Sequence, residues 1–442
     1  MARPAPIQIM ALCCAGCPAA AVRCGVAGRG VQRCGMILPT PQRAHEVVWV
    51  RDHLSGLCRD QPEQPARFTG TQEAADAALR RFEIRGYARN RNTVLPQSAR
   101  GASGLSPFIR HGLLSLPRVH TATAGAGRDS EKFHDELLWQ EYARHVHARL
   151  GTRTRHDLRF VSGGPNHSAD PEDLRGPWDR SMACVDLALT ELERDGWMVN
   201  QTRMWMASQW SVRGGAGWRR GEDHFFAHLL DGSRAANRLG WQWTIGAGTG
   251  KAYGFSRSQV RTRAPGLCDG CSHDADCPIE QWPDIDPPVA STPDPLLRHD
   301  PDPQRTAGPR VPHRVGTPEA VWLTAESLGE EDPALVAHQD LPVVFVFDEP
   351  LLARLRLSAK RLVFLAERLA ELAQSRTLEV RLGDPVVELA DRAIATTFAP
   401  VPGWRTRAGM IAPVAVHPWL WLRRPGSGPI TSFTAWSRSF DG

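Results

Sequence analysis

Lysine is almost missing from this chain. Among 53 Lys and Arg residues only Lys132, Lys251 and Lys360 are lysines, so nearly all of the positive charge sits on guanidinium groups. The net charge of +5 suits a polyanionic partner, and genomic base composition accounts equally well for the arginine bias. No run of 18 apolar residues occurs, which excludes a membrane-spanning helix of the usual kind. The stretch through Gly35 holds Cys13, Cys14, Cys17, Cys24 and Cys34. Yet Pro4, Pro6 and Pro18 interrupt it, no charged start leads into a clean apolar core, and no His or carboxylate completes a ligand set. Neither a secretory signal nor a metal site is well served, so residues 1–44 are expected to be a disordered extension, with Met36 as an alternative beginning.

What is present is the composition of an ordinary globular protein, 42% apolar and 23% charged, and 442 residues leave room for two or three domains. From His45 the pattern is helical. The stretch 74–92 ends in a cluster of Tyr87, Arg89 and Arg91. Within 101–119, Ser103 and Ser106 precede a helix opened by Pro107, a place where free N–H groups meet anions. Residues 135–150 carry Leu137, Leu138, Tyr142 and Val146 near helical spacing, which predicts one buried stripe. Residues 195–243 read as helix, turn, helix, loop. GAGTGKA, residues 246–252, fails as a phosphate loop, because Ile245 stands where the first Gly belongs and Ala252 where the hydroxyl belongs.

Composition shifts after Pro283. Residues 284–315 are rich in Pro, Asp and Arg without periodicity, which predicts an extended linker. Beyond it AVWLTAE, LPVVFVFD and TLEVRLGD read as buried strands, and residues 358–374 as an amphipathic helix. This alternation predicts a parallel sheet.

Set together, GWMVNQTRM, GWRRGEDHFF and LLDGSRAANRLGWQW resemble, nearly position for position, the flavin-binding core of the DNA photolyase and cryptochrome family. The resemblance implies an α-helical FAD-binding domain over 45–283, followed by a smaller α/β Rossmann-like domain over 316–442. The latter is similar to the family's N-terminal antenna domain, here placed last, as circular permutation would give. Residues 324–327, TAES, replace that domain's Arg-Arg-Asp run. Antenna binding and a purely structural role both stay open, and the chromophore is unknown.

By the same resemblance Arg203 and Asp231 form a buried ion pair beside the flavin, with Gly232 next to it. Asn237 faces the flavin N5, where a neutral carboxamide can both donate and accept. Tyr87 reaches the flavin phosphate. Ser103, Gly104, Leu105 and Ser106 form the diphosphate loop, usually TSRLSP, in which Ala102 and Gly104 replace the first hydroxyl and the Arg. Glu136, Asn200 and Met204 with Trp139 and Trp243 resemble the pocket of cyclobutane pyrimidine dimer photolyases. Base-flipping enzymes of this class need such an aromatic wall. No His stands among these positions, as (6-4) photolyases require. Arg91 matches a DNA contact, whereas Gln140 and Gln201 replace arginines, Gln201 being the expected DNA-binding position beside Asn200. Trp241 and Trp218 match the first two members of a tryptophan chain. The third falls near Phe160, with Trp178, Trp205 and Trp210 as reroutes or plain core residues.

Cys268, Cys271 and Cys277-Pro278, with Cys184 some way upstream, resemble the iron-sulfur bacterial cryptochromes and photolyases, which implies a 4Fe-4S cluster. A four-thiolate zinc site is the alternative. The implied protein is a cytoplasmic, monomeric enzyme that repairs pyrimidine dimers in DNA with light. A cryptochrome-like sensor and a flavin/iron-sulfur electron-transfer protein are the rival functions.

Overall fold

The computed structural model describes residues 36–65, 67–125, 127–162 and 178–440, so the five N-terminal cysteines lie outside the described residues. Strand β1 is Met36–Leu38 and helix α1 is Glu46–Leu54. A short helix α2, Ser106–Arg110, precedes the 23-residue α3, Arg128–Leu150. Strand β2 is Phe160–Val161. Four helices follow: α4 (Ala183–Asp195), α5 (Asn200–Ala207), α6 (Trp218–His228) and α7 (Arg234–Thr244). Then come β3 (Val289–Ala290), β4 (His313–Arg314), β5 (Ala320–Leu323) and β6 (Val343–Asp348). Helix α8 (Ala359–Leu372), strands β7 (Leu378–Gly383), β8 (Ile394–Thr397) and β9 (Ala415–His417), and helix α9 (Phe433–Arg438) complete the set used below. Among the described residues no helix is long and apolar enough to cross a membrane.

The architecture is a helical part joined to a seven-stranded sheet of order β1-β7-β6-β5-β8-β9-β4. The five central strands are parallel, with Val321 opposite both Val343 and Ala395, while β1 and β4 are antiparallel edges. The apolar runs AVWL and VVFVF are buried along their length, as strands covered on both faces must be. The predicted helix is α8, and it is buried on every side, including Lys360, Arg361, Glu367 and Arg368. It lies between the sheet and the helices of the first half. One continuous core accordingly runs from Val321 and Phe345 through Phe364 to Phe108 and Trp197.

Two stretches differ from expectation. Within residues 1–44, Met36–Leu38 is no loose extension: Met36, Ile37 and Leu38 pair with Leu382, Arg381 and Val380. Helix α1 then packs on α8, so the first described residues belong to the sheet half. Residues 284–315 are not an extended linker either. Leu297 is buried and its carbonyl accepts from Ile430 N at 2.7 Å, and buried Asp300 pairs with buried Arg149 of α3 at 3.2 Å. Proline and aspartate gave this segment a linker's composition, but its few apolar and charged anchors have partners distant in sequence.

Candidate functional site

The turn formed by residues 196–199 is the hub of the site. Gly196 ends α4 in the left-handed conformation (φ 61°), and its carbonyl accepts from Leu230 N at 2.8 Å. Trp197 Nε1 donates to Ser106 Oγ at 3.0 Å, and Arg203 Nε donates to the Met198 carbonyl at 3.1 Å. Three segments far apart in sequence thus meet on one turn. The expected ion pair is formed: Arg203 donates to both Asp231 oxygens, at 3.2 and 2.8 Å, with the carboxylate side chain only 6% exposed. The Gly232 carbonyl accepts from Arg110 Nε at 2.9 Å and from Arg361 at 3.1 Å, so a helix of the sheet half steadies the turn that carries Asp231.

Asn237 sits half-buried on α7, whose first turn is capped by Ser233 Oγ accepting from Ala235 N. Its amide Nδ2 donates to the Glu222 carbonyl and to Glu222 Oε1, both at 3.0 Å. Sequence reasoning missed Glu222. Its other oxygen takes Arg234 at 2.5 Å, with Arg238 3.6 Å away. Burial pushes the Glu222 carboxyl upward, and the two guanidiniums oppose that push. The glutamate in GEDHF, one turn from an aromatic pair on a helix otherwise packed inward, was the available signal.

In the small-residue loop Leu105 is fully buried, and Ser103 Oγ accepts from its backbone N at 3.3 Å. Tyr87 is buried, edge-on to Phe82 and Phe133. Burial first, and then the Glu136 carboxylate, raise its phenol above the ordinary range.

On α3, Glu136 pairs with Arg91 at 3.1 Å and with Lys132 at 3.2 Å, so two expected DNA-facing residues are bound to each other. Trp139 and Trp243 keep 37% and 39% of their surfaces exposed, high for indoles in a packed protein. One face of Trp139 is covered by Phe433 of α9, and Trp243 lies beside Tyr253. Asn200 is exposed and Met204 half-buried. Gln201 departs from expectation: it is 5% exposed, and its amide donates to the Tyr253 hydroxyl at 2.9 Å, so it offers nothing to a strand.

Trp218 and Trp241 are both buried on packed helices. Gly221 allows the Trp241 ring to lie against the α6 backbone, and Trp218 is on the same face three residues earlier. Trp218 Nε1 donates to Asp157 at 2.9 Å, whereas Trp241 Nε1 is buried without a partner. Trp178, Trp205 and Trp210 are at most 5% exposed, core residues without a surface end.

A family model described as the FAD binding domain of DNA photolyase matches residues 133–267. Over that stretch the chain is similar to the flavin-binding domain of DNA photolyases. A deoxyribodipyrimidine photo-lyase of Streptomyces griseus is 33% identical over 154 residues, covering 33% of this chain and 32% of the relative. One from Vibrio cholerae is 29% identical over 226 residues, covering 47% and 46%. One from Thermus thermophilus is 32% identical over 213 residues, covering 44% and 47%. The chain therefore spans about a third to a half of the length of these photolyases.

The photolyase match stops one residue before Cys268. Beyond it Cys268, Cys271 and Cys277, with Cys184 from the head of α4, line one cavity walled by Met182, Val260, Leu267 and Ile279. Ala183 N donates to Cys271 Sγ at 3.5 Å. Burial and the three neighbouring thiols push the Cys184 thiol up to about 12. His273, the loop's one imidazole, is engaged by Ser181 at 2.7 Å. Among the described residues no three His, Cys, Asp or Glu side chains converge tightly enough for a single metal ion.

Proposed function

We propose that the protein is a light-driven, FAD-dependent repair enzyme acting on cyclobutane pyrimidine dimers in DNA. The observation that carries the reading is the convergence on residues 196–199 of Ser106, Arg203 and the turn holding Leu230 and Asp231. That donor set suits a flavin dinucleotide, with a carboxylate, a guanidinium and a carboxamide for the ring and hydroxyls for the diphosphate. Bound and reduced, FAD would supply the photoexcited electron that opens the dimer and take it back afterwards. Asn237, steadied by Glu222, presents its carboxamide to the ring's reactive edge. Arg203 and Asp231 fix the polar edge, and Ser103, Ser106 and Tyr87 stand at the phosphate end. Trp139 and Trp243 wall in the extruded bases beside Asn200 and Met204. When a strand arrives, Arg91 exchanges Glu136 for a phosphate and the freed carboxylate takes the base edge. Trp218 and Trp241 relay electrons during photoreduction.

Cys184, Cys268, Cys271 and Cys277 would hold a 4Fe-4S cluster. A cubane gives each thiolate its own corner, so its ligands stand farther apart than those around one zinc ion. Four thiols lining one cavity support this reading. The order of helical part before sheet, with the central parallel strands beginning at residue 320, supports a permuted arrangement of the family's two domains.

Reduced protein mixed with dimer-containing single-stranded DNA under blue light restores the monomeric pyrimidines under this reading. Unchanged lesions would favour the sensor reading. Two observations speak for that rival, the covered face of Trp139 and the Arg91–Glu136 pair.

A further inference from the structure

In the diphosphate loop that residues 101–106 resemble, an arginine is usual where Gly104 stands in this chain. A guanidinium nevertheless lies at that place. The Nη2 atom of Arg67 is 3.6 Å from where a Cβ on Gly104 would stand. Arg67 reaches it from a segment 37 residues earlier in the chain, and no sequence motif marks it.

What holds Arg67 there is aromatic. Its Cζ lies 4.4 Å from the Trp197 ring centroid and 5.4 Å from that of Phe68. The same indole donates its N–H to Ser106, so guanidinium and loop hydroxyl share one support. Among the described residues Arg67 makes no ion pair. The carboxylates that influence it are already engaged: Asp195 by Arg194 at 2.7 and 2.8 Å, and Glu191 by Arg100 at 2.6 Å. A guanidinium oriented by stacking, left without a carboxylate and set beside Gly104 in the loop that carries Ser103 and Ser106 is suited to a phosphate oxygen pair, which matches its fork.

We propose that Arg67 binds the diphosphate of the flavin dinucleotide, supplying from outside the loop the cation that Gly104 does not. This rests on the reading of residues 101–106 as the diphosphate loop. It makes affinity for FAD depend on Arg67, and affinity for riboflavin, which has no phosphate, independent of it.

The test is flavin titration of flavin-depleted full-length protein, wild type against Arg67→Ala and Arg67→Lys, with FAD and riboflavin as ligands. Loss of a charge-assisted hydrogen-bond pair predicts FAD binding about 10- to 100-fold weaker in Arg67→Ala. Arg67→Lys, which keeps the charge without the fork, should fall between, and riboflavin affinity should stay the same in all three. Unchanged FAD affinity in Arg67→Ala would overturn the proposal. So would equal loss of FAD and riboflavin, since Arg67 would then only pack on Trp197. A wild type that bound neither flavin would instead remove the functional reading beneath it.

Discussion

Phe433 lies flat on Trp139, with ring centroids 4.2 Å apart and planes 8° from parallel. The pair joins the last helix of the chain to α3 and uses up one face of the indole on which a flipped base is expected to stack. Phe433 is itself fixed, edge-on to Tyr142 and close to Trp436, which is 1% exposed. It therefore backs Trp139, which keeps 37% of its surface exposed. Stacked aromatic pairs contribute about 0.5–1.5 kcal/mol, so Phe433→Ala should weaken binding of dimer-containing DNA about 2- to 10-fold. A gel-shift or anisotropy titration measures it. Tighter binding by the variant would instead make Phe433 a cover that the lesion has to displace.

Glu222 ties Asn237 to Arg234 and Arg238, and its side chain is 3% exposed. Removing one partner of a buried ion pair leaves the other charge uncompensated, at a cost of about 3–5 kcal/mol. Glu222→Ala should lose that much stability in urea unfolding and copurify with less FAD, because the Asn237 amide then keeps only the backbone carbonyl of residue 222 as its acceptor. Glu222→Gln keeps the acceptor for Asn237 and should retain more flavin than the alanine variant. A Glu222→Ala protein with wild-type stability and flavin content would show the tie to be idle.

These two residues illustrate what the sequence does and does not reveal. Arg203 and Asp231 lie in contiguous segments whose polar order is distinctive, and the structure pairs the two. The strands near 320, 343 and 378 were legible from apolar runs bounded by turn residues. Phe433 and Arg67 were not, because each acts through a partner set by packing and nothing local distinguishes it from a core ring or a solvated charge, and Glu222 was marked only by its place in GEDHF. Strand β1 was hidden for the same reason: three residues are too few for a period, and their partners are more than 340 residues away. Gln201 misled because its neighbours imply a surface, while its amide finds Tyr253 instead.

The cysteine cavity gives a prediction independent of DNA. Protein purified without oxygen should carry iron and acid-labile sulfide in equal amounts and absorb broadly in the visible beyond the flavin bands. Cys184→Ser should abolish both. Stability should fall as well, because metal-site binding energy is also folding energy where the ligands come from separate segments. Zinc without sulfide in the wild type would replace the cluster by the four-thiolate site.

Acid should unfold this protein earlier than its carboxylates alone would dictate. His145 is 2% exposed, its Nε2 faces the Arg423 carbonyl at 2.7 Å, and its Nδ1 accepts from Trp436 Nε1 at 2.9 Å. That arrangement needs the neutral ring with its proton on Nε2. Burial, the largest cause, pulls its pKa down to about 3, with Arg149 and Arg144 pulling the same way and the Arg423 carbonyl opposing. The unfolded chain binds the proton near the ordinary value of about 6.5, so the unfolded state holds more protons between the two values. Stability contributed by the neutral ring is complete above about pH 6.5 and falls as pH drops toward 3, by up to about 1.4 kcal/mol per pH unit for this one group. Urea midpoints measured from about pH 7 to about pH 4.5 should fall accordingly. His145→Gln keeps a side-chain donor, loses stability at neutral pH, and should flatten that slope by about one proton. A variant with the wild-type slope would show that His145 takes up no proton on unfolding.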